Sequence, residues 1–87
     1  MTYHFTPSKK VCSQEMIFEI DDNNKVQSLQ VIGGCHGNLQ GIGRLLVGMD
    51  IDEVIEKLEG VDCRGRGTSC PDQIAKGLKQ YREQQSL

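Results

Sequence analysis

One change of apolar period constrains the fold of this chain more than any other feature. From Val11 to Ile20 apolar and polar residues alternate, with Cys12, Met16, Phe18 and Ile20 on one face and Ser13, Glu15 and Glu19 mostly on the other. An alternation of two is the period of a strand. Beyond the Gly33-Gly34 pair the repeat becomes helical. Leu39, Ile42, Leu45, Leu46 and Met49 form one stripe, Ile51, Val54, Ile55 and Leu58 a second, and Ile74, Leu78 and Tyr81 a third. All the strand signal therefore precedes all the helix signal, and the expected order is βββααα. This is an α+β fold, a three-stranded antiparallel β-meander with three helices packed on one of its faces.

Local signals set the boundaries. "TYHFT" reads as a short first strand and "PSKK" as a turn. "DDNNK" is a hairpin turn of residues that tolerate tight or left-handed backbone, and "VQSLQVIGG" is a third strand. Gly41 and Gly43 weaken the first helix, and glycines in a helix mark the close approach of another backbone. In "DIDEVIEKLEG", Asp50 and Glu53 have the spacing of a capping box and Gly60 that of a helix stop. The last helix opens with Ser69 as N-cap, Pro71 in the first turn and Asp72 completing the cap. It is expected to run to about Gln84, with "REQQSL" frayed. The sheet then covers residues 2–33 and the helices 38–84 of a single domain, 1–87.

The core of such a domain is thin. The 87 residues include no Trp, two Phe and two Tyr, and domains of this size often gain stability from a metal, a disulfide or a partner subunit. A net charge of −2 and a pI of about 5.6 argue against a nucleic-acid or membrane-surface binder, whose footprint is basic. No leader pattern is visible and the longest apolar run, "LLVGM", is too short to span a bilayer. The expected setting is cytoplasmic and reducing, where four cysteines point to metal or redox chemistry rather than structural disulfides.

Each cysteine sits at an element boundary. Cys12 is near the start of the second strand, Cys35 lies in "GGCHGN" between sheet and first helix, Cys63 lies between the second and third helices, and Cys70 is in the first turn of the third. Cys12 shares parity with Met16, Phe18 and Ile20, so its thiol is expected to face the helices, and a meander crossed by helices can gather all four cysteines at one end. A helix N-terminus favours a thiolate at Cys70. Arg64 and Arg66 favour thiolates in the same loop, and Gly33, Gly34, Gly37, Gly65 and Gly67 let backbone N–H groups approach sulfur. Four thiolates suit tetrahedral Zn²⁺ or an iron–sulfur cluster. There is no CxxC pair, and His36 beside Cys35 is an alternative ligand. A redox reading needs only Cys63 and Cys70, closing a disulfide across "RGRG".

Other motifs read as structural. His4 belongs to the first strand, and "GGCHGNLQGIG" lacks the Lys-Ser/Thr ending of a phosphate loop. "RGRG" is either a small anion nest or a solvated loop. Asp50, Asp52, Glu53 and Glu56 are capping and surface charges, and no paired carboxylates or Ser-His-Asp set suggest hydrolysis.

At Thr68-Ser69-Cys70-Pro71-Asp72 the sequence resembles the small four-cysteine proteins that carry a TSCPD domain. "GGCHGNLQGI" and "GMDIDEVIEKLEGVDCRGRGTSCPDQIAKGL" extend the resemblance over most of the chain. The same domain occurs at the C-terminus of some adenosylcobalamin-dependent ribonucleotide reductases. The resemblance implies an accessory or detached domain, without the barrel, radical machinery or cobalamin site of the reductase, and with a reductase subunit as candidate partner. A fainter likeness is to iron–sulfur scaffolds of the IscU and NifU N-terminal type, which also run βββ and then helices. Cys12, Cys35 and Cys70 match their three cysteines. Gln14 stands where the scaffolds have an aspartate, Ser69 where they have a histidine, and Cys63 is additional. That likeness implies a cluster donor or acceptor as partner, and a fourth thiolate that holds metal rather than releasing it.

Overall fold

The structure, a computed structural model, describes residues 1–34, 36–62, 64–65 and 67–85, and only the backbone of His36. Strands β1 (Thr2–Phe5), β2 (Ser13–Ile20) and β3 (Val26–Gly33) are followed by helices α1 (His36–Leu46), α2 (Ile51–Leu58) and α3 (Cys70–Gln85). The sheet order is β1-β2-β3 and both pairings are antiparallel. This is the βββααα arrangement that the two periods imply. No helix among the described residues is long and apolar enough to cross a membrane.

Strand alternation decides what the sheet buries. Phe18 pairs with Tyr3 and Leu29, and Met16 with Phe5 and Val31, so these side chains share the face under the helices. Met16, Phe18, Ile20 and Val26 are buried there with Leu39, Leu46, Ile51, Val54, Ile55, Ile74 and Leu78. Tyr81 joins them and meets the Tyr3 ring edge-on at 5.4 Å. On the opposite face His4 and Glu15 approach at 3.4 Å as an exposed pair. The β2–β3 turn forms as expected: Asp21 Oδ1 accepts the N–H groups of Asn23 and Lys25, each at 2.9 Å, and Asn24 is left-handed. The Lys25 N–H foremost holds the Asp21 carboxyl below the ordinary aspartate value.

Four expectations are corrected. The α1 stripe is Leu39, Ile42, Gly43 and Leu46, whereas Leu45 is 77 % exposed and Met49 lies beyond the helix end. Gly43 faces the sheet because α1 approaches β3 closely; a Cβ there would lie 3.0 Å from the Leu29 carbonyl oxygen. The predicted backbone contact is thus real at Gly43, whereas a Cβ at Gly41 would meet nothing within 4 Å among the described residues. The Asp50–Glu53 capping box does not form: Asp50 is the N-cap of α2 without a side-chain cap bond, its extended backbone being used in a bridge to Lys25. As for α3, it runs to Gln85, one residue past the expected end, with Ser86 and Leu87 outside the described residues.

The fourth correction concerns Cys12. The β2–β3 register slips by one residue between Ser13 and Glu15, leaving Gln14 as a bulge. A bulge reverses the parity of everything before it. Ser13, not Cys12, therefore takes the buried face: Ser13 is 4 % exposed and Cys12 is exposed.

Candidate functional site

The buried polar side chains of the described residues are Ser13, Thr68, Ser69, Asp72 and Gln73, and all five gather where the start of β2 meets the start of α3. The rest of the core is apolar. Burying polar groups costs stability unless each finds a hydrogen-bond partner, and no buried side-chain nitrogen or oxygen among the described residues is left without one.

Ser69 begins the set. Its Oγ accepts the Asp72 N–H at 3.1 Å, the N-cap bond expected of it, and donates to the Val61 carbonyl at 2.6 Å. That second bond ties the loop after α2 to the N-terminus of α3. Asp72 does more than complete a cap. Its Oδ1 accepts the Gly60 N–H at 2.7 Å, its Oδ2 accepts the Thr68 hydroxyl at 2.5 Å, and the Lys76 ammonium lies 3.1 Å away. Burial works to raise the Asp72 carboxyl, but Thr68, Gly60 and Lys76 outweigh it and hold the group below the ordinary aspartate value. Gln73 then joins Thr68 to Ser8: its Nε2 donates to Thr68 Oγ1 at 2.9 Å and its Oε1 accepts the Ser8 N–H at 3.0 Å.

This framework holds Cys70 in the first turn of α3, half-buried, with its sulfur 3.3 Å from Ser13 Oγ. Cys12 precedes Ser13, and both Cys12 and Cys70 are free thiols. Gly33 and Gly34 close against the same segment. Both are left-handed, and a Cβ would lie 3.2 Å from the Cys12 carbonyl oxygen at Gly33 and 3.3 Å from the Ser13 nitrogen at Gly34. Only glycine fits such a turn without strain, which is why the pair stands where the chain leaves the sheet. Cys35 and Cys63, and the side chain of His36, lie outside the described residues. No group of three or more His, Cys, Asp or Glu suited to a metal ion occurs among the described residues.

Arg66 of "RGRG" lies outside the described residues, and the two glycines of the stretch bond to the chain's own carboxylate. Asp62 accepts the N–H groups of Gly65 at 2.6 Å and Gly67 at 2.5 Å, so the chain's own carboxylate takes the place of an external anion. A cleft of about 400 Å³ lies elsewhere, at the start of α2, lined by Asn23, Asn24, Asp50, Asp52, Glu53 and Glu56. Its Asp52 is paired with Arg82 at 2.5 Å. Sequence reasoning passed over Gln73, although its place on the helical stripe with Gly77 and Tyr81 was a usable signal: a polar residue on a buried stripe needs partners.

The profile of the TSCPD domain family matches residues 1–82 of the chain, and the protein belongs to that family. The five residues of its name stand here as Thr68, Ser69, Cys70, Pro71 and Asp72, and the structure gives three of them work: Thr68, Ser69 and Asp72 are buried hydrogen-bonding residues that hold the loop around Cys70. Comparison with curated proteins and with solved structures gives no match.

Proposed function

We propose that this is a small metal-binding domain without catalysis of its own, in which Cys12, Cys35, Cys63 and Cys70 hold one Zn²⁺ ion or a small iron–sulfur cluster. The observation that carries the reading is the convergence at the Ser13–Cys70 contact. Cys70 is there, Cys12 precedes Ser13 in the chain with its own side chain exposed, Gly34 before Cys35 lies against Ser13, and Val61, two residues before Cys63, is bonded to Ser69. The donor chemistry fits, since soft thiolates select zinc and iron–sulfur clusters over hard cations. The residues at hand would supply the sulfur ligands, the Ser13 hydroxyl would hydrogen-bond one of them, and the metal would cross-link sheet and helices. Structural zinc contributes on the order of 10 kcal/mol of apparent binding energy in small domains, more than a core this thin supplies. A protein partner, either a reductase subunit or a cluster donor or acceptor, belongs to the same proposal.

The test is metal content and visible absorption of untagged protein purified without oxygen. About one zinc per chain and no colour would support a structural site. Iron with sulfide and a brown colour would support a cluster carrier. Metal-free protein with four titratable thiols and unchanged folding after chelation would defeat the proposal. Single serine substitutions separate it from a dithiol: all four should weaken metal binding alike, whereas a redox pair would depend on Cys63 and Cys70 alone.

A further inference from the structure

We propose that Gln73 is the positioning residue that sets the loop ending at Cys12 against the loop containing Cys63, so that the two sides of the thiol site form and loosen together. The proposal rests on the metal-binding reading above and deepens it.

Gln73 is 4 % exposed and touches both connections. Ser8, whose N–H it accepts, belongs to the β1–β2 connection that ends at Cys12, and Thr68, to which it donates, closes the α2–α3 connection. The orientation of its amide is forced. A backbone N–H only donates, so Oε1 faces Ser8. An ionised carboxylate only accepts, so the single Thr68 proton goes to Asp72 and the Thr68 oxygen must accept from Nε2. A carboxamide offers an acceptor on one side and a donor on the other; Glu offers two acceptors and Met neither. The relay continues through Asp72 to the Gly60 N–H. Four hydrogen bonds thus link Ser8 to Gly60, the inner two buried and the outer two partly buried, and a buried group that loses its partner also bears its desolvation cost. A shift of either connection breaks its bond to the one Gln73 amide that both share. Among the described residues Gln73 bonds to no thiol; it acts through the backbone.

The experiment disturbs one loop and reads the other. In the metal-free, reduced protein, Thr68→Val removes the hydroxyl on the Cys63 side. Exchange of the Ser8 amide on the Cys12 side is expected to quicken about three- to tenfold, the equivalent of one net hydrogen bond, and Thr68→Ser to restore it. Ile74→Val, a core change outside the relay, supplies the control for general loss of stability. A Ser8 rate in Thr68→Val no faster than in that control overturns the proposal. Should Thr68→Val not fold, Gln73→Met removes the donor to Thr68 without adding a charge, and a Gly60 amide rate no faster than in the control overturns it equally.

The second arm is cobalt(II) titration. Gln73→Met should lower affinity about three- to tenfold, the equivalent of one net hydrogen bond, with weaker sulfur-to-cobalt absorption, while Ile74→Val stays close to the parent. Equal affinity in Gln73→Met and Ile74→Val removes Gln73 from the site. A parent protein that takes up no cobalt overturns the metal reading instead, and amide exchange then decides the joint by itself.

Discussion

The Ser13 hydroxyl lies 3.3 Å from the Cys70 sulfur across 57 residues of sequence, and a bulge at Gln14 puts it there. Without the bulge Cys12 would take the buried face and Ser13 would point to solvent. The extra residue turns the hydroxyl towards α3 and leaves the neighbouring thiol at the surface, in keeping with the habit of bulges to re-aim side chains near sites.

This arrangement predicts unequal costs for two adjacent substitutions in the reduced, metal-free protein. Ser13→Ala should lose about 1 kcal/mol, since it removes a buried hydrogen-bonding hydroxyl. Cys12→Ala should stay within about 0.5 kcal/mol, as surface changes usually do. Urea unfolding of the two variants measures both, and the reverse order would mean that the strand keeps its simple alternation.

Asp72 makes stability depend on pH. Its carboxyl is depressed in the folded protein relative to the ordinary 3.8, so it contributes stability that is fully present above that value and is lost as pH falls through the folded value. Asp72→Asn should cost about 2 kcal/mol at neutral pH, the scale of hydrogen bonds to a charged group. It should also flatten the acid limb of the stability curve. Urea midpoints from neutral pH downwards check this, and a variant with the parent's acid limb would show that the carboxylate is not the anchor the geometry describes.

Two glycines of α1 should respond with opposite signs. Gly43→Ala places a methyl group 3.0 Å from the Leu29 carbonyl oxygen, and backbone stands on both sides of the contact. Overpacking of this kind costs about 1–3 kcal/mol. A Cβ at Gly41 would meet nothing within 4 Å among the described residues, so alanine there should gain about 0.5–1 kcal/mol from helix propensity. Thermal melts of the pair give the signs directly.

The leucine pair beside them tests the register of the helix. Leu46 is 5 % exposed and Leu45 is 77 % exposed. Leu46→Ala should cost about 2–5 kcal/mol, and Leu45→Ala no more than about 0.5 kcal/mol. Comparable losses at both positions, read by urea unfolding, would place both leucines in the core.

What the sequence by itself determined is the content that depends on near neighbours. The change of period announced three strands and then three helices, and it named most of the core, from Met16 and Phe18 to Ile74 and Leu78. The Asp21 turn and the Ser69 cap were readable because such bonds span two to four residues. The TSCPD motif pointed to Cys70 and its surroundings. Only the tertiary structure decided which face Cys12 takes, because a bulge depends on how the partner strand runs past Gly33. It also decided that Gly43 rather than Leu45 meets the sheet, since that turns on how closely α1 approaches the Leu29 carbonyl. The relay from Ser8 through Gln73, Thr68 and Asp72 to Gly60 is of the same kind. Its longest link joins residues 65 apart in the chain, and a bond between two such groups exists only once the apolar faces have packed and brought them out of water together.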